Sequence, residues 1–388
     1  MRLVNVAVTT SLVLTAFTVT VPASAAPRHF TRSFATRIDA AAKQEVGSGH
    51  VAGAAVAVLR DGQLVFSRGY GRANLELAAP VTEKTVFRIG SLTKQFTAAG
   101  VLLLAEQGKL KIDDKLSLYL PNFPRADEVT LRDLLNHTSG IHNFTEGPAI
   151  GKISRTGATV QQLVANIAGQ SPLYDFDPGK GWWYSNSNYA LLGAVIEKAS
   201  GESWATFMKT EIFDKLGMAE TAADDARDVV RGRAAGYSLI GGTPGKFRNA
   251  DFTDMSVPYA AGALRSTADD MARWTAALFG GKLLKPDSLK EMLAPGRLRN
   301  GAENQTVIAW PGGNASSPPA GFVPGFYAFG LDHHSEDGRF VIGHDGSIAG
   351  FDAVMQTYVD KNMTIIVLTN TNGAAHPLEA KIAEILTR

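Results

Sequence analysis

The sequence contains no cysteine. Disulfides, thiolate chemistry and a lipid-bearing cysteine are therefore excluded, and stability has to come from the buried core. An excess of either charge is missing too: 38 Lys plus Arg stand against 37 Asp plus Glu, a formal net charge of +1. Such a balance provides no basic field for nucleic acid and no acidic tail. Beyond the N-terminus there is no apolar run of the roughly 20 residues that a membrane helix needs, and no internal repeat. What remains is a chain of 388 residues, 45% hydrophobic and 19% charged. That is enough for one large domain or two smaller ones with ample core.

The N-terminus reads as an export signal. Met1-Arg2 gives a positive start, Val6 to Val21 is uncharged and apolar, and Ala23-Ser24-Ala25 offers a small-x-small cleavage pattern. Cleavage after residue 25 would remove Arg2 and no acid, leaving 38 − 1 = 37 basic against 37 acidic residues. The expected location is secreted or periplasmic, with no stable membrane anchor.

Along the mature chain, Ala54 to Leu59 and Gln63 to Ser67 flank Arg60-Asp61-Gly62, a strong hairpin signal. Thr82 to Arg88 continues in strand-like sequence. Thr130 to Asn136, Thr159 to Ala168, Asn188 to Ala199, Ser203 to Leu216 and Thr267 to Phe279 carry helical periodicity, each opening on a residue suited to capping. Strand character returns at Tyr327 to Asp332, Arg339 to Gly343, Asp352 to Val359 and Thr364 to Asn370, and Pro377 to Leu386 closes as a helix. Sheet, helices, then sheet predicts one α/β layer built from both chain ends (26–110 and 281–388) with a mostly helical lobe, 111–280, inserted. Asn300 to Gly325, rich in Gly, Pro, Asn and Ser, reads as a long loop near the site.

Chemistry concentrates first at Ile89-Gly90-Ser91-Leu92-Thr93-Lys94-Gln95-Phe96. Leu92, Phe96, Ala99, Leu103 and Leu104 recur at helical spacing and Gly108 fits a C′ position. Ser91 and Lys94, three residues apart, share a helix face. The positive end of the helix dipole helps the amine lose its proton, which sets a general base beside a nucleophile. On its own the pair also reads as a helix cap, and Ser-x-x-Lys turns up by composition about once in a chain of this length.

Two further constellations accompany it. Tyr184-Ser185-Asn186 lies just before a helix, where a phenol can move protons and an amide can orient a carbonyl; a buried turn with an Asn cap is the competing reading. His344-Asp345-Gly346-Ser347 follows a strand, where backbone N–H groups can form half of an oxyanion hole and glycine admits a close approach; an ordinary turn competes. Ser91 is the only Ser with Lys three residues on, Tyr184 the only Tyr with Asn two on, and His344 the only His with Gly two on.

In order and context these three segments resemble the active-site-serine penicillin-recognising family, in the branch holding class C β-lactamases, D-alanyl-D-alanine carboxypeptidases, D-aminopeptidases and carboxylesterases. The phrases Phe87 to Thr97, Leu134 to Ile141 (LLNHTSGI), Tyr184 to Gly193 and Gly343 to Ser347 carry the likeness across nearly the whole mature chain. The resemblance implies a β-lactamase/transpeptidase-like α/β fold, an antiparallel sheet flanked by helices. It also implies the roles. Ser91 is acylated, Lys94 and Tyr184 move its proton, and Asn186 hydrogen-bonds the substrate. The amides of Ser91 and Ser347 form the oxyanion hole beside Gly346, and His344 stands where many members carry Lys and tunes Tyr184. No metal or cofactor is required.

The third motif departs from the family's Lys-Thr-Gly or His-Thr-Gly. Neutral His344 carries less charge than Lys, and Asp345, if it faces the cleft, repels a substrate carboxylate. The expected substrates are peptides or amides of the D-amino-acid type, or β-lactams. The alternative is apolar acyl esters, with Trp182, Trp183 and Phe351 as cleft walls; a catalytically idle binding protein is a third reading. Asn143-Phe144-Thr145 and Asn314-Ala315-Ser316 match a glycosylation pattern but read as loops, and His333-His334 reads as a solvated turn rather than a metal site.

Overall fold

The computed structural model describes residues 32–147, 150–304, 322–336 and 338–387. The export stretch, Asn314 and most of the 300–325 loop lie outside them.

The first hairpin joins β1 (Gly53–Arg60) to β2 (Gln63–Asn74). Arg60 pairs with Gln63, and Asp61 and Gly62 between them take φ of 51° and 71°. Two consecutive left-handed residues match the right-handed strand twist, which is why Asp-Gly sits there. With β3 (Ala79–Pro80), β4 (Phe322–Tyr327), β5 (Asp332–Glu336), β6 (Arg339–Ile348), β7 (Phe351–Tyr358) and β8 (Met363–Thr369) they form one sheet in the order β3-β2-β1-β8-β7-β6-β5-β4. All neighbours in it are antiparallel. Pairing of β1 with β8 closes the end of the chain onto its beginning.

Strands β7 and β8 are buried at every residue rather than alternating, because both faces of the sheet carry helices. On one face α1 (Arg32–Gly47) and, at the chain's end, a helix over Ala375–Thr387 cover Val56, Val58, Val354, Ile365 and Val367. On the other, α4 (Ala268–Phe279) packs on β1 and β8, and α2 (Thr93–Glu106) and α3 (Asn186–Ser200), packed on each other, join the same core as Ala55, Ala57, Ile366 and Leu368. The closing helix is accordingly α5. Helix α2 is buried from Thr93 through Leu104, so it is the axis of the larger core. Gly108 ends it at φ 71°, as its C′ role requires.

Thr130, Thr159, Ser203 and Thr267 accept cap hydrogen bonds as expected. Asn188 does not: α3 begins at Asn186, and the Asn188 side chain turns inward to His137 and Ser139. Of Thr82 to Arg88 only Phe87–Arg88 is strand. The Tyr327 to Asp332 run is two strand ends around a turn in which Ala328 N–H meets Leu331 O at 2.8 Å and Gly330 has φ 71°. His333 and His334 are buried in β5, not solvated, with the His333 ring stacked on Phe326 at 4.3 Å. His344 to Ser347 lie within β6 rather than in a turn, and pair with Met355 to Asp352.

That placement decides where Asp345 points. Strand alternation puts Ile342 in the larger core and Val341 in the smaller one, so Asp345 shares the α5 face. Its Oδ2 lies 2.5 Å from His376 Nε2 on α5. The expected repulsion of a substrate carboxylate by Asp345 therefore does not hold. The ion pair instead clips α5 to β6.

The pairing raises the His376 pKa from 6.5 to about 9, through the Asp345 hydrogen bond and charge acting against burial. A raised folded-state pKa means the pair stabilises fully below the unfolded value and is lost as pH climbs through about 9. Both side chains are half-exposed, which limits the effect to about 1 kcal/mol or less. Thermal unfolding of the parent should therefore show a decline in Tm between pH 6.5 and 9 that Asp345→Asn lacks. A parallel decline in both proteins would show that the clip is not what titrates.

Candidate functional site

Ser91 sits in a 3-10 turn, Gly90–Leu92, that runs straight into α2. The cap positions there are Ile89 and Leu92, so Ser91 is not a cap and its hydroxyl is free for other partners. Two glycines allow β6 to lie against this turn. Gly90 has φ 50°, and a Cβ on it would fall 2.9 Å from Ser347 N. A Cβ on Gly346 would fall 2.0 Å from Ile89 O and 3.0 Å from Ser91 N. Bare backbone at both positions lets β6 and the turn pack closely beside the Ser91 and Ser347 amides.

Lys94, one turn along α2, is completely buried. Its Nζ lies 2.9 Å from Ser91 Oγ, 2.8 Å from Asn186 Oδ1 and 2.8 Å from Ala261 O. Burial holds its pKa well below the ordinary lysine value. Asn186 Oδ1 and Ala261 O can only accept. Burial favours the neutral amine, which can donate its two N–H bonds to them and turn its lone pair to Ser91 Oγ, whereas an ammonium would donate to all three.

Tyr184 covers the amine, with its ring centroid 4.8 Å from Lys94 Nζ and its hydroxyl hydrogen-bonded to Ser91. Burial pushes the phenol pKa upward, so Tyr184 is a neutral donor at pH 7. Asn186 opens α3, and its orientation is fixed from the other side. Its Nδ2 donates to Thr145 Oγ1 at 3.1 Å, and its backbone N–H donates to Asn143 Oδ1 at 3.1 Å. Asn143 is itself buried, so this match to the glycosylation pattern is a structural element of the site.

His344 lies 6.0 Å from Tyr184 between ring centroids and makes no hydrogen bond to it among the described residues. Its Nδ1 is 2.6 Å from Asp345 O and therefore carries the proton, and its Nε2 accepts from Tyr327 OH at 2.9 Å. Burial holds the imidazole pKa down. The expectation that His344 tunes Tyr184 electrostatically is thereby reduced to a neutral neighbour turned toward Tyr327.

All seven expected site residues (Ser91, Lys94, Tyr184, Asn186, His344, Gly346 and Ser347) thus converge. A cleft of about 270 Å³ opens beside Ser91, Asn186 and Ser347, walled by Ile150, Val257, Pro258 and Ile348. Among the described residues no acidic or basic side chain lines it. Trp182, Trp183 and Phe351 are not in that lining; Trp182 packs beneath the site, against Tyr327 and His137. Ala261, Tyr327, Asn143 and Thr145 were not foreseen, since a carbonyl acceptor and side chains distant in sequence leave no short motif. No cluster able to hold a metal ion occurs among the described residues, and no helix there is long and apolar enough to cross a membrane.

Comparison with known proteins follows the same lines. The family model described as Beta-lactamase matches residues 38–387. The chain is 30% identical to penicillin-binding protein 4* of Bacillus subtilis over 84% of its own length and 70% of that protein's. Among solved structures it is similar to a D-stereospecific amidohydrolase from a Streptomyces species, with 26% identity, TM-score 0.70, and 91% of this chain and 99% of that one covered. It is also similar to the D-amino acid amidase of Ochrobactrum anthropi SV3, with 25% identity, TM-score 0.75, and 92% and 98% covered. With its catalytic-type serine, buried lysine and antiparallel sheet in this arrangement, the chain belongs to the β-lactamase family and is a serine hydrolase.

Proposed function

We propose that the protein is an acyl-enzyme hydrolase of neutral amides, in the manner of the D-amino acid amidases, and that Lys94 is its acylation base. The observations that support the base are the complete burial of Nζ, which disfavours the ammonium form, and its 2.9 Å approach to Ser91 Oγ. Ser91 Oγ attacks the substrate carbonyl, its proton passes to Lys94, and the oxyanion forms between the Ser91 and Ser347 amides. Tyr184, hydrogen-bonded to Ser91 Oγ, passes a proton to the leaving nitrogen as the C–N bond breaks, and is replenished from Lys94. Water then attacks the ester along the reverse proton path, restoring Ser91.

The substrate class rests on charge. A carboxypeptidase or a penicillin receptor needs a cation to receive the substrate carboxylate. Here the corresponding position holds a neutral His344 occupied by Tyr327, and the described residues of the cleft wall are uncharged. That supports amides whose leaving group bears no carboxylate. The apolar wall of Ile150, Val257, Pro258 and Ile348 equally favours a second reading, hydrolysis of apolar acyl esters. The export signal, if cleaved, sets the reaction outside the cytoplasm.

A probe panel tests this. Fluorescent fluorophosphonate should label the parent and not Ser91→Ala, and D-phenylalanine amide should turn over faster than D-alanyl-D-alanine peptides or a fluorescent penicillin. Preference for the carboxylate-bearing compounds would overturn the substrate assignment, and ester turnover without amide turnover would select the second reading. kcat/KM should fall on the acid side as Lys94 becomes protonated, and show no alkaline loss below the raised Tyr184 range. Tyr184→Phe should lower kcat by about 10²–10⁴-fold.

Gly346→Ala should lower kcat by about 10²–10³-fold, the size of a lost oxyanion donor, because its Cβ would press on Ile89 O and part the two amides. Retention of full activity in that variant would remove the oxyanion assignment.

A further inference from the structure

The Leu134 to Ile141 segment holds a buried titratable group that the proposed reaction does not use. His137 has no exposed surface, and its backbone takes φ 61°, a left-handed conformation that side chains rarely adopt but that His and Asn tolerate better than most. Its ring lies under the site, with centroids 4.5 Å from Tyr184, 5.2 Å from Tyr189 and 4.6 Å from Tyr327.

Hydrogen-bond accounting fixes its state. Nδ1 lies 3.2 Å from the Ser185 backbone N–H and 3.0 Å from Asn188 Nδ2. The Asn188 amide is oriented by Ser139, whose hydroxyl reaches Asn188 Oδ1 at 2.6 Å while accepting from Ile141 N–H. Two donors therefore converge on Nδ1, which has to be the lone-pair nitrogen, and the proton sits on Nε2. The His137 carbonyl adds a third hold by accepting from Trp183 N–H at 3.1 Å. One residue thus grips the chain on both sides of Tyr184, at Trp183 and at Ser185, immediately before Asn186.

We propose that His137 is a positioning residue: its Nδ1 lone pair and its ring set where Tyr184 and Asn186 stand relative to Ser91 and Lys94. This rests on the roles given above to Tyr184 and Lys94. A doubly protonated imidazole would turn an N–H toward two donors and release the grip, so the neutral form is the working one. The ionisable groups around it, Lys94 on α2, His344 on β6, and the three tyrosines, include none that would stabilise its cation.

Two substitutions separate grip from bulk. His137→Phe keeps a ring but no acceptor. His137→Asn keeps an acceptor near the Nδ1 position and tolerates the positive φ. With active sites counted by fluorophosphonate labelling, His137→Phe should lower kcat per labelled site by about 10²-fold, as a displacement of about 1 Å would, with KM within about threefold. His137→Asn should recover most of kcat. A lowered Tm in His137→Phe with kcat per labelled site unchanged would make His137 merely structural and overturn the proposal, and so would a folded His137→Asn as impaired as His137→Phe. Should His137→Phe not fold, ¹⁵N NMR of the parent decides: an unprotonated Nδ1 that does not titrate between pH 5 and 8 supports the grip, and an Nδ1–H tautomer or titration near the ordinary histidine pKa of about 6.5 refutes it. Full activity of Tyr184→Phe would instead sink the reaction scheme on which the proposal rests, a separate and recognisable result.

Discussion

An amine with no exposed surface is the constraint around which the rest is arranged. Holding an ammonium ion in such a place costs several kcal/mol unless an anion is near. Among the described residues no carboxylate is hydrogen-bonded to Lys94 Nζ; its polar partners are a serine hydroxyl, an amide oxygen and a backbone carbonyl. A neutral amine meets those partners without that penalty. The 3-10 turn before α2 brings Ser91 and α2 brings Lys94, α3 brings Asn186, and the chain before α4 brings Ala261. Each of three distant segments therefore supplies one of the groups that aim the amine, while burial disfavours its charged form.

The topology explains how a strand far along the chain reaches that helix. Because β8 pairs with β1, strands β6 and β7 are carried across to the turn before α2. The approach is limited by Cβ atoms, and Gly90 and Gly346 remove them where the backbones meet. Stability and site geometry are coupled at this contact. The strand that carries Ser347 is fastened on its other face to α5 through Asp345 and His376. Next along the sheet, Asp352 in β7 accepts the Ala375 N–H at the start of α5.

Much of this was legible in the sequence, for physical reasons that differ by element. The hairpin at Asp61-Gly62 was readable because both positions need positive φ, and Asp-Gly meets that need locally. The caps at Thr130 and Thr159 were readable because a capping bond closes within three residues. Ser91 and Lys94 were readable because helix geometry alone makes them neighbours. Asn188 misled because its propensity to cap was overridden by a long-range demand from His137 and Ser139. The side-chain direction of Asp345 was beyond the sequence, since it follows from strand register, and the motif had the look of a turn. Tyr327 left no mark at all. Its importance comes from a hydrogen bond to His344 across the sheet, and neither residue type nor spacing announces it.

Charge is where these features meet. His344 is pinned by Tyr327 in a neutral tautomer, Tyr184 is buried as a phenol, and Lys94 is placed to be an amine. The resting site then carries almost no net charge, and the cleft beside it none on its described walls. In the proposed reaction the first charges appear together, when the proton of Ser91 moves to Lys94 and the carbonyl oxygen becomes an oxyanion between two amides. A new ion pair in a buried, low-dielectric space interacts far more strongly than it would in water, and in that scheme it does so only as the transition state is approached. In that scheme the neutrality of the resting site is part of the catalysis: binding energy is not spent on holding charge in the ground state, and the electrostatic gain falls on the step that needs it.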